Sequence, residues 1–298
     1  MTWKRVATAV VLIPFVVGIV LRGSTAILAL AVGLVTMLAL FEYFALGDAI
    51  GHRAYRFWTA SCALLLVFTQ WNAPTQGPRA ISRTVDWIVI GGLTLAMPTV
   101  EDVLFYFLIG ITVLTLWTKR PMVEAMPAAG ISSSGLLLVA FPLTFAIRLH
   151  HVPSFGPALL FFVLVITWIG DTSAYFVGRT IGKHKLAPVL SPNKTWEGAT
   201  ASIVGALLVA FAFAPRLNIP LQHLLGMAAV GNIAGQAGDL LESALKRRFG
   251  AKNASELIPG HGGLMDRLDG FVAAALVATL LGLARGGFDA PARGLLIW

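Results

Sequence analysis

Ten apolar runs decide what this chain can fold into: residues 6–21, 25–47, 56–71, 87–100, 103–117, 131–149, 157–178, 197–214, 221–245 and 268–284. A helix needs about 20 mostly apolar residues to cross the hydrocarbon core of a bilayer, and most of these runs approach that length. Only 12% of the 298 residues are charged and 57% are hydrophobic, where an ordinary soluble domain carries about 25% charged residues. The runs are unbroken instead of alternating, which argues against a transmembrane barrel. The same hydrophobicity excludes a disordered chain and a collagen-like repeat. The expected fold class is therefore all-α, a polytopic integral membrane protein.

Charge placement sets the number of crossings. Loop 179–196 carries Arg179, Lys183, Lys185 and Lys194, and loop 246–265 carries Lys246, Arg247, Arg248 and Lys252. Two spans separate these loops, so they face one side, and the positive-inside rule places both in the cytoplasm together with Lys4 and Arg5. Ten full spans would put the N-terminus on the wrong side, whereas about nine satisfy both demands. The short runs 87–100 and 103–117, separated by Glu101 and Asp102, are the place to lose one, as a re-entrant segment or a tight hairpin. The first run follows Lys4-Arg5 without a small-residue cleavage site and reads as an uncleaved span. The net charge of +8 is explained first by these basic loops, and no nucleic-acid partner is expected. Cys62, the single cysteine, sits in an apolar stretch and reads as packing.

Chemistry is concentrated in one third of the chain. Residues 171–269 hold 7 of the 14 acidic and 10 of the 22 basic residues. Residues 1–130 read as N-terminal transmembrane helices without an assigned role, and residues 131–298 as the catalytic membrane region. Within it, Asp171 near the end of an apolar run needs a partner, a water-filled cavity or a place at the interface. Ser191-Pro192 reads as a turn, followed by Asn193, Lys194 and Thr195 as donors where a helix begins; the segment suits an anion or a plain capped loop. Asn232, Gln236, Asp239, Ser243 and Lys246 recur at spacings of 4, 3, 4 and 3, one face of one helix. Such a stripe either joins helices by hydrogen bonds or lines a site, and Asp239 and Lys246 favour a site.

The segment Ile258-Pro259-Gly260-His261-Gly262-Gly263-Leu264-Met265-Asp266-Arg267-Leu268-Asp269 follows. Its glycines let the backbone approach a ligand, and consecutive N–H groups can cradle phosphate oxygens. Asp266 and Asp269 beside such a loop would repel a phosphate unless a cation lay between, and Mg²⁺ is the hard, oxygen-seeking candidate. A glycine turn with an acidic helix cap would explain Asp266 alone. His261 has no second His or Cys at zinc spacing and reads as a phosphate contact or a loop-shaping residue. His150 and His151 read as interfacial. Glu42, an isolated acid in an apolar run, reads as functional or as the partner of an arginine on a neighbouring helix.

The 27-residue stretch from Ser243-Ala244-Leu245-Lys246-Arg247 through Lys252 to Asp269 resembles the C-terminal signature of the phosphatidate cytidylyltransferases, or CDP-diacylglycerol synthases. Gly170-Asp171-Thr172, Ala174-Tyr175, Gly178-Arg179, Ser191-Pro192, Lys194-Thr195, Glu197-Gly198 and Gly238-Asp239 are similar to that family as well. The likeness is detailed over residues 165–284. Asn253 departs from it, standing where the family usually has an acid. The resemblance implies transfer of CMP from CTP to phosphatidic acid, giving CDP-diacylglycerol and pyrophosphate; the modest length fits a bacterial inner membrane, and the basic loops put the site on the cytoplasmic side. The resemblance also implies Asp239, Asp266 and Asp269 as ligands of Mg²⁺, with room for a second cation. Catalytic roles fall to Asp239, Asp266, Lys246 and Arg267. Substrate contacts fall to Asp171, Ser191, Asn193, Lys194, Thr195, Ser243, Arg247, Gly260, His261, Gly262 and Gly263. Partners are the two substrates and membrane lipids, with a homodimer allowed. Two other classes stand beside this reading: a CTP-dependent lipid kinase, which would release CDP, and a transporter, which would bind near mid-membrane.

Overall fold

The structure is a computed structural model that describes residues 2–72, 87–90, 93–152, 154–217, 219–251, 254–255, 262–266, 268, 270–275 and 277. In chain order it contains α1 (Thr2–Arg22), α2 (Thr25–Ala49), α3 (Arg56–Asn72), β1 (Trp87–Ile90), β2 (Leu93–Ala96) and α4 (Val100–Trp117). Then come α5 (Met122–Ser134), a π-helical stretch Gly135–Ala140, α6 (Phe141–His150), α7 (Gly156–Thr180), β3 (Lys185–Ala187), β4 (Ser191–Thr195), α8 (Trp196–Leu217) and α9 (Leu221–Arg248). The described residues from Met265 onward begin a further helix. Among the described residues, five helices are long and apolar enough to cross a membrane: α2, α4, the continuous Met122–His150, α7 and α8. The protein is an all-α polytopic membrane protein.

Departures from the apolar runs have local causes. Run 87–100 is not a helix: β1 and β2 pair antiparallel, from Trp87 opposite Ala96 to Ile90 opposite Leu93. Gly91-Gly92 between β-branched residues is a hairpin signal, and it outweighs mere apolarity. Glu101 and Asp102 do not break two spans but open α4. The Thr99 hydroxyl accepts from the Asp102 N–H, and the Asp102 carboxylate accepts from the Thr99 N–H at 2.8 Å, a capping box with acids at the positive helix end. Run 131–149 belongs to a longer helix whose π-helical stretch precedes Pro142, a residue with no N–H to give.

The interior is built around α2, α3, α6 and α7, with Leu40, Tyr43, Leu66, Ile147, Leu159 and Phe162 fully buried. Next to it α7, α8 and α9 pack through small residues, as helices do where apolar surface alone gives little preference. Asn232 donates to the Ser202 hydroxyl at 3.0 Å, and Gln236 donates to Asn232 at 2.8 Å and to the Ala199 carbonyl at 3.3 Å. This network lies against Gly170, where an added Cβ would stand 2.3 Å from Asn232 Nδ2 and 2.7 Å from Ser202 Oγ. Gly170→Ala is therefore expected to cost about 1–3 kcal/mol by overpacking, read as a lower midpoint of thermal unfolding in detergent. Gly18→Ala is the control, since nothing lies within 4 Å of the added methyl.

Candidate active site

The polar stripe on α9 divides in two. Its first part, Asn232 and Gln236, is spent on helix packing. From Asp239 on, the same face carries charge, and Glu242 joins it at the i+3 and i−4 positions between Asp239 and Lys246. Lys246 Nζ lies 2.5 Å from Asp266 Oδ1 and 3.1 Å from Glu242 Oε1, with all three side chains nearly buried. Lys194 reaches across from β4 to Asp239 at 2.5 Å, and the Asp239 side chain keeps 39% of its surface open.

Lys194 owes its position to the β3–β4 hairpin. Ser191-Pro192 is not a turn but the start of β4; the reversal falls at residues 188–190, and Lys185 pairs with Thr195. Pro192 is tolerated because a two-stranded hairpin has only edges. Glu197 in the first turn of α8 ties the hairpin down by accepting from His184 Nδ1 at 2.7 Å, while Trp196 N–H donates to the His184 carbonyl at 2.9 Å. Thr195 is buried, and its hydroxyl accepts from the Gly198 N–H at 3.1 Å. Ser191 is half-buried and Asn193 exposed on the same strand. Asp171 lies on the exposed C-terminal part of α7, Ser243 is half-buried on α9, and Arg247 is exposed in its last turn.

Asp266 organises the glycine-rich segment from the far side. Its carboxylate accepts from Lys246, from the Gly263 N–H at 2.9 Å and from the Ala254 N–H at 3.1 Å. Burial alone would raise its pKa, but the Lys246 and backbone donors outweigh burial and hold it below the ordinary carboxylate value. Burial likewise opposes the Lys246 ammonium, yet its bond to Asp266 and the Glu242 charge raise its pKa above the usual lysine value. Both groups are charged at neutral pH. Gly262 adopts a left-handed backbone, φ 85°, which favours glycine there. Gly260, His261, Arg267 and Asp269, with Lys252 and Asn253, lie outside the described residues.

Two further acids join these residues, Glu242, to which the sequence assigns no role, and Glu42, which reads from the sequence as functional or as the partner of an arginine. Glu242 was hidden in the count of the stripe, although its i,i+4 relation to Lys246 was visible. Glu42 stood out as an acid in an apolar run, and it pairs not with an arginine but with the glycine-rich segment. Its carboxylate accepts from Ser255 Oγ at 2.5 Å and from the Leu264 and Met265 N–H groups, each at 2.8 Å.

The donor set suits a hard cation. Asp239, Glu242 and Asp266 carry three negative charges against two on Lys194 and Lys246, and all are oxygen donors of the kind Mg²⁺ prefers. Among the described residues no three His, Cys, Asp or Glu side chains converge on one point. A Mg²⁺ arriving with a nucleotide needs only one or two carboxylates, its other ligands being phosphates and water, and the carboxylates of Asp239 and Asp266 are of the chemistry such an ion takes.

Paired ammonium and carboxylate groups at the end of α9, in a bundle of helices able to cross a membrane, suit a membrane-embedded enzyme with charged substrates. The chain belongs to the cytidylyltransferase family, whose profile matches residues 3–284. It is 35% identical over 237 residues to the phosphatidate cytidylyltransferase of Brucella suis biovar 1, covering 77% of this chain and 83% of that one. Over 165 residues it is 39% identical to the enzyme of the same name from Haemophilus influenzae, covering 53% and 56% of the two chains. Over 128 residues it is 43% identical to that from Bacillus subtilis, covering 42% and 48%.

Proposed function

We propose that the protein transfers CMP from CTP to phosphatidic acid, forming CDP-diacylglycerol and pyrophosphate. An oxygen of the lipid phosphate bonds to the α-phosphorus of CTP as the bond from that phosphorus to the β-phosphate oxygen breaks, and pyrophosphate leaves with the electron pair. The observation that carries this reading is the Lys194–Asp239 and Glu242–Lys246–Asp266 constellation in a chain similar to named phosphatidate cytidylyltransferases over most of its length.

The chemistry asks for little proton transfer. A phosphate monoester has its second pKa near 6 and is largely ionised at neutral pH, so the nucleophile needs no protein base. What must be overcome is repulsion between two polyanions, and phosphoryl-type transfer depends chiefly on position and charge neutralisation. Lys194 and Lys246, with Arg247 and Arg267, supply positive charge to the phosphates. The N–H groups of Gly260, His261 and Gly262 would face the phosphates, that of Gly263 being held by Asp266. Asp239 and Asp266, with Asp269, would hold Mg²⁺, which neutralises the triphosphate and activates its α-phosphorus when bound. An apolar cavity of about 190 Å³ adjoins Glu242 and is lined by Ala39, Leu138, Pro142, Leu241, Leu245 and Met265. It offers the acyl chains a place beside the charged groups. The bacterial origin of the named relatives supports a cytoplasmic membrane, and the basic loops support a site on the cytoplasmic side.

Purified protein given CTP, phosphatidic acid and Mg²⁺ is expected to yield CDP-diacylglycerol and pyrophosphate in equal amounts, measured by lipid mass spectrometry and a pyrophosphate assay. Release of CDP with phosphorylation of a lipid alcohol supplied in parallel would replace this reading with a CTP-dependent lipid kinase.

A further inference from the structure

Glu42 sits on α2, in the half of the chain that carries none of the residues assigned to substrates, and is 1% exposed. A carboxylate in a helix interior of this kind is costly unless its oxygens are used. Here they are: Oε1 accepts from Ser255 Oγ and the Leu264 N–H, and Oε2 accepts from the Met265 N–H. Leu264 and Met265 open the final helix, where the first N–H groups have no partner within the helix. Glu42 therefore caps that helix from another helix, 222 residues away from Leu264 in the chain. Ser255 and Leu264 stand on either side of the glycine-rich stretch in sequence, so one carboxylate grips both of its flanks.

The neighbouring donors go to Asp266. The N–H groups of Ala254 and Gly263 point to Asp266, while Ser255, Leu264 and Met265 serve Glu42. Alternate donors on each flank thus answer to two carboxylates, one from α2 and one from the site. Gly263 makes this close approach feasible: a Cβ there would lie 2.8 Å from Glu42 Oε2 and 3.0 Å from Ala254 Cβ. The grip is reinforced next door, where Phe249, just past the end of α9, packs edge-on against Tyr43 with ring centroids 5.8 Å apart.

We propose that Glu42 is a positioning residue for cytidylyl transfer: by fastening Ser255 and the start of the final helix, it holds the glycine-rich segment and Asp266 where the CTP phosphates bind. This rests on the function proposed above. It gives residues 1–130 a share in the active site. A group that orients a ligand-binding residue typically changes affinity or rate by about 10–100-fold when replaced.

The test uses the full chain in detergent or lipid nanodiscs, with Glu42→Gln and Ser255→Ala. Glu42→Gln keeps the shape but gives one acceptor oxygen where two are used. It is expected to raise KM for CTP and the Mg²⁺ concentration for half-maximal rate by about tenfold or more, with KM for phosphatidic acid within twofold of wild type. Amide hydrogen exchange at Leu264 and Met265 is expected to accelerate in Glu42→Gln. Ser255→Ala, which removes one donor only, is expected to change KM for CTP in the same direction and less, and stands in if Glu42→Gln does not fold. Equal changes in both KM values, or unchanged CTP kinetics and exchange in the variants, would overturn the proposal. A wild-type protein that makes no CDP-lipid would overturn the function instead, and the exchange measurement would still decide whether Glu42 fastens the segment.

Discussion

Asp266→Asn is expected to lower the rate of CDP-diacylglycerol formation by about 10³-fold, and Asp239→Asn by a similar factor. Each removes a charged oxygen ligand from the proposed cation, whose transition-state stabilisation is worth several kcal/mol, and each 1.36 kcal/mol is a factor of ten. The two variants are nonetheless expected to differ as folded proteins. Asp239 keeps 39% of its side-chain surface open and bonds the Lys194 ammonium, so its loss should lower the unfolding midpoint little, since a partly exposed ion pair contributes about 0–1 kcal/mol. Asp266 is nearly buried and joins Lys246, Ala254 and Gly263. Its loss leaves Lys246 with Glu242 alone and takes a charged acceptor from two buried N–H groups, at a cost of about 1–3 kcal/mol. Asp266→Asn should therefore melt earlier and expose the Ala254 and Gly263 amides to exchange, while Asp239→Asn should not. Full activity in both variants would remove the metal assignment. Equal destabilisation by both would contradict the division of labour between an open ligand and a buried one.

That division was only half visible in the residue pattern. Asp239 and Lys246 could be placed on one helical face from spacing alone, because helical periodicity is a local property. The same spacing placed Asn232 and Gln236 beside them, yet those amides are consumed by Ser202 and Ala199 on α8. Periodicity identifies a face but not what the face meets. Lys194 reads from the sequence as a donor for an anion or as part of a plain capped loop, and its reach to Asp239 depends on a hairpin that turns at residues 188–190, ahead of Ser191-Pro192. The proline at 192 carried the turn signal, and Pro188 carried it too. Apolar length alone does not decide 87–100 for a similar reason, since a short apolar run with Gly-Gly at its centre suits a hairpin as well as a helix. Glu42 marks the limit most clearly. Its oddness was plain, but its partners lie 213 to 223 residues away, and no local rule connects positions so distant. The detailed resemblance covers residues 165–284 and carries no signal for Glu42.

Lys246→Met is expected to be the most damaging single change, because Lys246 stands between two carboxylates and, in the proposed function, also meets phosphate. With the ammonium gone, Glu242 and Asp266, which lie 3.1 Å and 2.5 Å from its nitrogen, face each other in a site nearly closed to water. Breaking a buried pair costs about 3–5 kcal/mol, and here a like-charge contact adds to it. Adding Glu242→Gln removes one of the two repelling charges. The double variant should therefore recover part of the lost stability, with a coupling of about 0.5–3 kcal/mol in a double-mutant cycle. Activity should not return, since the charge that meets the CTP phosphates is still missing. Mg²⁺ adds a further arm: in Lys246→Met it should raise the unfolding midpoint without CTP by more than in wild type, because a cation can take the place the ammonium leaves. Recovery of activity in the double variant would reduce Lys246 to a structural counter-charge. Recovery of stability without activity separates its two roles, and it locates the requirement for positive charge at the nucleotide and not in the fold.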